Sequence, residues 1–126
     1  MSSGACDISL VVSSRNRAYG LASCLDAIGR AAQADGSPTV ELVFVDNGST
    51  DDTSAVVSAW AASAPLPVSL LHEPRPGLAV ARNTGIAAAR GRLIAFTDDD
   101  CEPEPDYFLA LSQAFAADEE LSLIHI

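Results

Sequence analysis

The sequence predicts a doubly wound α/β fold built on a parallel sheet, and two features of its pattern indicate this class. Strand-like and helix-like segments alternate along the 126 residues, with short connections between them. Polar residues follow each strand-like segment, as they do where a parallel sheet binds a ligand beyond the carboxyl ends of its strands. The length suits one domain.

The first strand and helix are predicted before residue 36. Ile8–Val12 is a short apolar run without a helical period, which is typical of a buried strand. A helix with one apolar face follows it and ends near the Asp35–Pro38 turn. The residues of that face are Leu21, Cys24, Leu25, Ile28 and Ala32.

The second strand is predicted at Val40–Val45, and a polar turn over residues 46–50 follows it. A helix then runs to about Ala64, where two prolines stop it because the ring removes a backbone donor. Thr50 or Asp51 is expected to cap the start of this helix, since side-chain oxygens accept bonds from its first N–H groups.

The third and fourth strands are predicted at Val68–Leu71 and Leu93–Phe96, separated by the loop His72–Gly77 and an alanine-rich helix, Leu78–Arg90. Gly91 is expected to cap the C-terminus of that helix, a position where glycine is common. Each strand is therefore followed by a helix, an order that favours a parallel, doubly wound sheet.

Pro105 is expected to open the last helix, at its first turn. The apolar face of this helix is predicted to contain Phe108, Leu111 and Phe115.

The end of the chain looks foreign. The preceding sequence is alanine-rich and lacks lysine, as a GC-rich gene encodes, whereas one frame of a common transposon-derived sequencing adaptor encodes Leu-Ser-Leu-Ile-His-Ile. We therefore expect residues 121–126 to be a non-native tail, and residues 1–120 to be a domain that is incomplete at its C-terminus. The alternative is an ordinary apolar strand at this point.

Composition excludes several functional classes. The net charge is -10, which argues against nucleic-acid binding. The cysteines Cys6, Cys24 and Cys101 form no CxxC pair, so neither a disulfide framework nor a zinc site is expected. A reducing, cytoplasmic location follows, at the cytoplasmic face of a membrane if the longer protein carries an anchor. This stretch contains no apolar run long enough to span a bilayer.

The polar segments after the four strands should meet at one edge of the sheet. They are Ser13–Arg17, Asp46–Ser49, Arg75–Gly77 and Asp98–Asp100. Arginine can grip a diphosphate in a bidentate manner, and carboxylate oxygens suit Mg²⁺ or Mn²⁺. The set predicts a nucleoside diphosphate with a divalent metal, although an ordinary turn at 46–48 and a solvated acidic loop at 98–106 are the simpler alternatives.

Four ordered motifs resemble glycosyltransferase family 2. They are Ser-Arg-Asn-Arg after the first strand, Val-Asp-Asn-Gly-Ser-Thr-Asp, Gly-Leu-Ala-Val-Ala-Arg-Asn-Thr-Gly, and Phe-Thr-Asp-Asp-Asp-Cys-Glu-Pro-Glu-Pro-Asp. The resemblance covers about residues 7–118. It implies a GT-A fold, which is a Rossmann-like three-layer sandwich with a mostly parallel sheet, here truncated. It also implies an inverting glycosyltransferase that takes a nucleotide-diphosphate sugar and an unknown glycan, lipid or other hydroxyl acceptor.

The same resemblance assigns the site residues. Those implied to bind the nucleotide sugar are Ser13, Arg15, Asp46, Asn47, Arg82, Asn83, Asp98 and Asp99. Asp98 and Asp100 match the family's Asp-x-Asp and would bind Mg²⁺ or Mn²⁺, with Asp100 expected to make the direct contact.

Two departures from the family pattern matter. Asn47 stands where the family often has a second acid that accepts the N3 proton of uracil; an amide oxygen can accept it too, so uridine, thymidine and guanosine donors all stay open. The family's catalytic base lies downstream, so we expect it beyond residue 126 and the isolated chain to be inactive.

The alternatives are a non-catalytic nucleotide-binding module and a nucleotidyltransferase, although Ser13–Arg17 lacks the glycine-rich loop of the latter.

Overall fold

The computed structural model describes residues 6–117 and 123–125, in which strands and helices alternate. The elements are β1 (Cys6–Ser14), α1 (Leu21–Ala32), β2 (Val40–Asp46), α2 (Thr53–Ala61), β3 (Val68–His72), α3 (Leu78–Ala88), β4 (Gly91–Thr97), α4 (Tyr107–Ala117) and β5 (Leu123–His125). All described strand pairs are parallel, in the order β3-β2-β1-β4-β5. The predicted α/β class with a parallel sheet is confirmed.

The two faces of the sheet are covered unequally. Alternate side chains of β1 point to opposite faces, so Leu10 joins the core under α1, α2 and α4, while Val11 joins a smaller cluster on the α3 side. The larger core buries Phe44 and Phe108 completely, and each such burial contributes roughly 1.5–3 kcal/mol. Strand β2, which lies between β3 and β1, is buried along its whole length.

Gly85 lets α3 approach the sheet closely. A Cβ atom at this position would lie 2.5 Å from Cγ1 of Val11, so any larger residue would push the helix away from β1. The glycine thereby fixes the height of α3 above the sheet, and with it the path of the loop that precedes the helix.

The prediction that Gly91 caps α3 is wrong. The helix ends at Ala88, its capping residue Ala89 is extended, and Gly91 is the first residue of β4. A Cβ atom at Gly91 would lie 2.5 Å from the backbone nitrogen of Ser9, so glycine is needed there for strand contact rather than for a left-handed turn.

The ends of two helices also differ from the predicted bounds. The second helix stops at Ala61, and the last begins at Tyr107 rather than at Pro105. Asp51 does accept a hydrogen bond from the backbone N–H of Thr53, the first residue of α2, although Asp52 precedes the helix. In the last predicted apolar face, the side chain of Phe115 lies outside the described part.

Helices α1 and α4 lie on the same face of the sheet, although the chain moves from β1 to β2 in one direction and from β4 to β5 in the other. Residues 121, 122 and 126 lie outside the described part, and the foreign origin of the tail stays a prediction that the nucleotide sequence can test.

Among the described residues, none of the helices is long and apolar enough to cross a membrane.

Candidate functional site

The candidate site lies where the winding direction of the sheet reverses. Strands β1 and β4 are neighbours, yet the chain passes from β1 towards one edge of the sheet and from β4 towards the other. Where the strand order reverses in this way, parallel sheets bind ligands in a crevice beyond the carboxyl ends of the strands. The crevice here is bounded by the segments that follow Ser14 and Thr97, the last residues of the two strands.

Asp99 is bound within the protein on both of its carboxylate oxygens. The hydroxyl of Ser14 donates to Oδ2 at 2.7 Å, and Nε of Arg17 lies 3.4 Å from Oδ1. Only 15% of the Asp99 side chain is exposed. This aspartate therefore joins the loops after β1 and β4 across the crevice.

The acids on either side of Asp99 point outward. Asp98 and Asp100 are exposed, and their carboxylate oxygens lie within 4.8 Å of each other and of the Cys101 sulfur. Asp100 also pairs with Nη2 of Arg17 at 3.5 Å. The two predicted metal ligands are thus brought together, and two carboxylates form the hard-oxygen set that Mg²⁺ and Mn²⁺ prefer.

Asn47 faces the crevice from the turn after β2. Its Nδ2 donates to the carbonyl oxygens of Glu73 at 2.8 Å and Arg75 at 2.7 Å. Both amide hydrogens are used in this way, and no partner for Oδ1 is found within residues 6–117 and 123–125. An open cleft runs beside this residue, and the polar side chains that line it are Ser13, Ser14, Arg15, Asn47 and Asp99.

Asp46, predicted to contact the nucleotide, is only 4% exposed. Its Oδ1 accepts from the backbone N–H of Ser49 at 3.0 Å, and its Oδ2 accepts from the hydroxyl of Ser54. Burial acts to raise the pKa of Asp46, but the hydrogen bonds from Ser49 and Ser54 outweigh it and the pKa is lowered. The geometry shows this carboxylate fixing the turn and the start of α2.

The loop after β1 is clamped to the turn after β2. Asn16 has a φ of 56°, a conformation rare for residues other than glycine and asparagine. Its Oδ1 accepts from the N–H of Thr50 at 2.8 Å, and its own N–H donates to the Ser49 hydroxyl at 2.9 Å. This bend sends Arg15 towards the cleft beside Asn47 and Arg17 towards the acids after β4.

Arg82 and Asn83 lie on α3. The Arg82 guanidinium is 5.3 Å from the ring centroid of Phe96, near the end of β4, and Asn83 is exposed. Arg82 therefore lies near the crevice, with its guanidinium over the Phe96 ring. Asn83 is not among the residues that line the described clefts.

The sequence placed Asn16, Arg17 and Arg75 in polar segments at this edge but assigned them no individual role, and it missed Glu73 and Thr84. The available signal was local: Glu73 and Arg75 are two residues apart, at a spacing that allows an ion pair within the loop. The partner hydroxyl of Thr84 is eleven residues away and is brought close only by the packing of α3.

Comparison with protein families gives a match over most of the chain. The family described as "Glycosyl transferase family 2" matches residues 9–124. The glycosyltransferase AglE of Haloferax volcanii is 30% identical over 100 residues, which are 79% of this chain and 32% of that protein. The chain thus spans about a third of this relative.

Solved structures agree on the fold. The mannosyltransferase PcManGT from Pyrobaculum calidifontis, in complex with GDP-Man and Mn²⁺, is 32% identical with a TM-score of 0.77, over 90% of this chain and 33% of that one. S. aureus TarS in complex with UDP-GlcNAc is 26% identical with a TM-score of 0.65, over 89% and 31% of the respective chains. The GT-A fold expected from the motifs is confirmed.

Proposed function

The chain belongs to glycosyl transferase family 2, and we propose that it supplies the donor-binding part of an inverting glycosyltransferase. It binds a nucleotide-diphosphate sugar together with Mg²⁺ or Mn²⁺, for transfer of the sugar to a glycan, lipid or other hydroxyl acceptor. The observation that carries this proposal is the pair of outward-facing carboxylates, Asp98 and Asp100, at the reversal point of the sheet beside the cleft of Asn47.

The donor set fits a hard divalent cation. Asp98 and Asp100 offer exposed carboxylate oxygens in one cluster, and Cys101 offers a softer thiol that Mg²⁺ and Mn²⁺ do not prefer. We assign Asp98 and Asp100 as ligands, with Asp100 in direct contact. A cation bound there would offset the negative charge that builds up on the departing diphosphate. Relatives of known structure support this choice, since PcManGT is complexed with GDP-Man and Mn²⁺.

The remaining residues bind and orient the nucleotide. Arg15 lies at the cleft, where its guanidinium can grip phosphate oxygens. Ser13 lines the same cleft and is assigned to the ribose, and the Asn47 oxygen to the base. Asp46 and Asp99 support these contacts by fixing the two turns, since their oxygens already accept bonds from the protein. Arg82 and Asn83 match the family's helix motif and are assigned to lie near the bound donor.

The sugar is displaced from the diphosphate by an acceptor hydroxyl, with inversion at the anomeric carbon. A carboxylate must take the hydroxyl proton, and we assign that base to sequence that this chain does not include. The isolated chain should therefore bind the donor without transferring the sugar.

Calorimetry with UDP, TDP or GDP, with and without Mn²⁺, tests the proposal. Asp100→Ala should weaken Mn²⁺-dependent nucleotide binding by about tenfold or more, because a direct metal ligand is lost. Glu104→Ala removes an exposed acid from the same acidic stretch and serves as the matched control, with unchanged binding expected. Unaltered metal-dependent binding in Asp100→Ala would contradict the metal assignment.

A further inference from the structure

The loop after β3 is held by a buried glutamate. Glu73 is 6% exposed, and its carboxylate accepts hydrogen bonds from the backbone N–H, Nε and Nη2 of Arg75 at 3.0, 3.0 and 2.8 Å. The hydroxyl of Thr84, on α3, donates to the same carboxylate at 2.6 Å. Four donors on one buried carboxylate leave this loop little freedom.

This arrangement sets the direction of the Asn47 amide. The carbonyl oxygens of Glu73 and Arg75 both point at Nδ2 of Asn47. If the amide were rotated by half a turn, its oxygen would face those two carbonyl oxygens and two hydrogen bonds would be lost. The loop therefore requires a donor on its side of the amide and turns the acceptor Oδ1 away from itself.

We propose that Glu73 is a positioning residue for base selection: by fixing the loop, it holds the Asn47 oxygen towards the nucleobase. This inference rests on the proposed function, in which Asn47 contacts the base. An acceptor at this point favours bases with an N–H at the middle of the Watson–Crick edge. These are uracil and thymine, through N3, and guanine, through N1. It disfavours cytosine and adenine, whose corresponding nitrogen is itself an acceptor, because two acceptors would then face each other.

The pair UDP and CDP isolates this effect, since the two share the ribose and diphosphate. With Mn²⁺ present, calorimetry on the whole chain should show UDP bound at least about tenfold more tightly than CDP. Glu73→Gln removes the negative charge that attracts the donors of Arg75 and Thr84. The ratio of UDP to CDP affinity should therefore fall severalfold, mainly through weaker binding of UDP. Thr84→Val is the milder variant to use if Glu73→Gln does not fold.

Glu41 provides a matched control at the opposite end of the sheet. Its buried carboxylate also accepts from a hydroxyl, that of Ser9, and from the guanidinium of Arg90. Glu41→Gln should thus destabilise the fold through the same kind of loss while it leaves the ratio of UDP to CDP affinity unchanged.

A second measurement needs no nucleotide. The side-chain NH₂ of Asn47 should exchange its hydrogens with solvent slowly in the free protein, measured by NMR, and faster in Glu73→Gln but not in Glu41→Gln. Unchanged exchange, or an unchanged UDP-to-CDP ratio in Glu73→Gln, would overturn the positioning role. Equal binding of UDP and CDP by the unaltered chain would overturn the selection. Binding of no nucleoside diphosphate would instead contradict the proposed function, and the selection with it.

Discussion

The turns that follow β2 and β4 both carry acidic residues at the carboxyl edge of the sheet, but they present them differently. After β2, Asp46 is buried and accepts bonds from Ser49 and Ser54. After β4, Asp98 and Asp100 are exposed. Both kinds of acid match the family motifs equally well. A motif acid is therefore available to a ligand where its carboxylate is exposed and is not held by the protein on both oxygens, and Asp100 pairs with Arg17 through only one of them.

Asp99 shows that the distinction operates within a single motif. It lies between the two outward acids, yet its oxygens are taken by Ser14 and Arg17. Three consecutive aspartates therefore divide into two candidate metal ligands and one structural link between loops. We expect substitutions of Asp46 and Asp99 mainly to lower the stability of the fold. Substitutions of the exposed Asp98 and Asp100 should mainly weaken ligand binding.

The largest expected difference in the free energy of unfolding is between Asp46→Ala and Asp98→Ala. Asp46→Ala leaves the half-buried N–H of Ser49 and the half-buried hydroxyl of Ser54 without an acceptor, so the free energy of unfolding should fall by about 2–3 kcal/mol. Asp98→Ala should change it by less than about 0.5 kcal/mol, as for most exposed positions. Urea denaturation followed by circular dichroism measures both values.

Asp46→Asn keeps the shape and one acceptor oxygen, and it should lose less stability than Asp46→Ala. Equal losses of stability for Asp46→Ala and Asp98→Ala would show that the Asp46 carboxylate does not fix the turn after β2.

The pH dependence of stability tests whether the charge of Glu73 stabilises its loop. Hydrogen bonds from Arg75 and Thr84 lower the pKa of this carboxyl from its ordinary value of 4.5 to about 2. The unfolded chain therefore takes up this proton at a higher pH than the folded chain does. The stabilisation is complete above the unfolded pKa and is lost as the pH falls towards the folded one.

Glu73→Gln should accordingly be less stable than the unaltered chain near neutral pH, and the gap should narrow between about pH 5 and pH 3. Denaturant midpoints across this range measure it. A gap that stays constant with pH would show that the carboxylate charge does not stabilise the loop.

A loss of stability well below that of Asp46→Ala is expected when Arg17 is replaced, since this residue contacts both the mostly buried Asp99 and the exposed Asp100. Its contacts with Asp99 and Asp100 are 3.4 and 3.5 Å long, and 41% of its side chain is exposed. Such pairs contribute about 0–1 kcal/mol and are screened by salt. Arg17→Gln should therefore destabilise the chain by less than about 1 kcal/mol, and by less still in molar salt. A loss as large as that of Asp46→Ala would mean that Arg17 holds the site together.

The sequence by itself was sufficient for the order of strands and helices, the parallel sheet and the family. These follow from local patterns: the apolar run at Ile8–Val12 lies within β1, and the apolar face that begins at Leu21 is buried in α1. The same patterns placed Asp98 and Asp100 next to each other at a strand end, because two residues of spacing in a turn keep them close.

Tertiary structure alone decided which polar atoms remain for a ligand. Gly91 reads as a helix cap by its position in the chain, but the close approach of β1 requires glycine there. The direction of the Asn47 amide depends on carbonyl groups of residues 73 and 75, and these depend on Thr84 in the next helix. Hydrogen bonds between such distant residues leave no periodic trace in a sequence, because they require only that the folded chain bring a donor and an acceptor together.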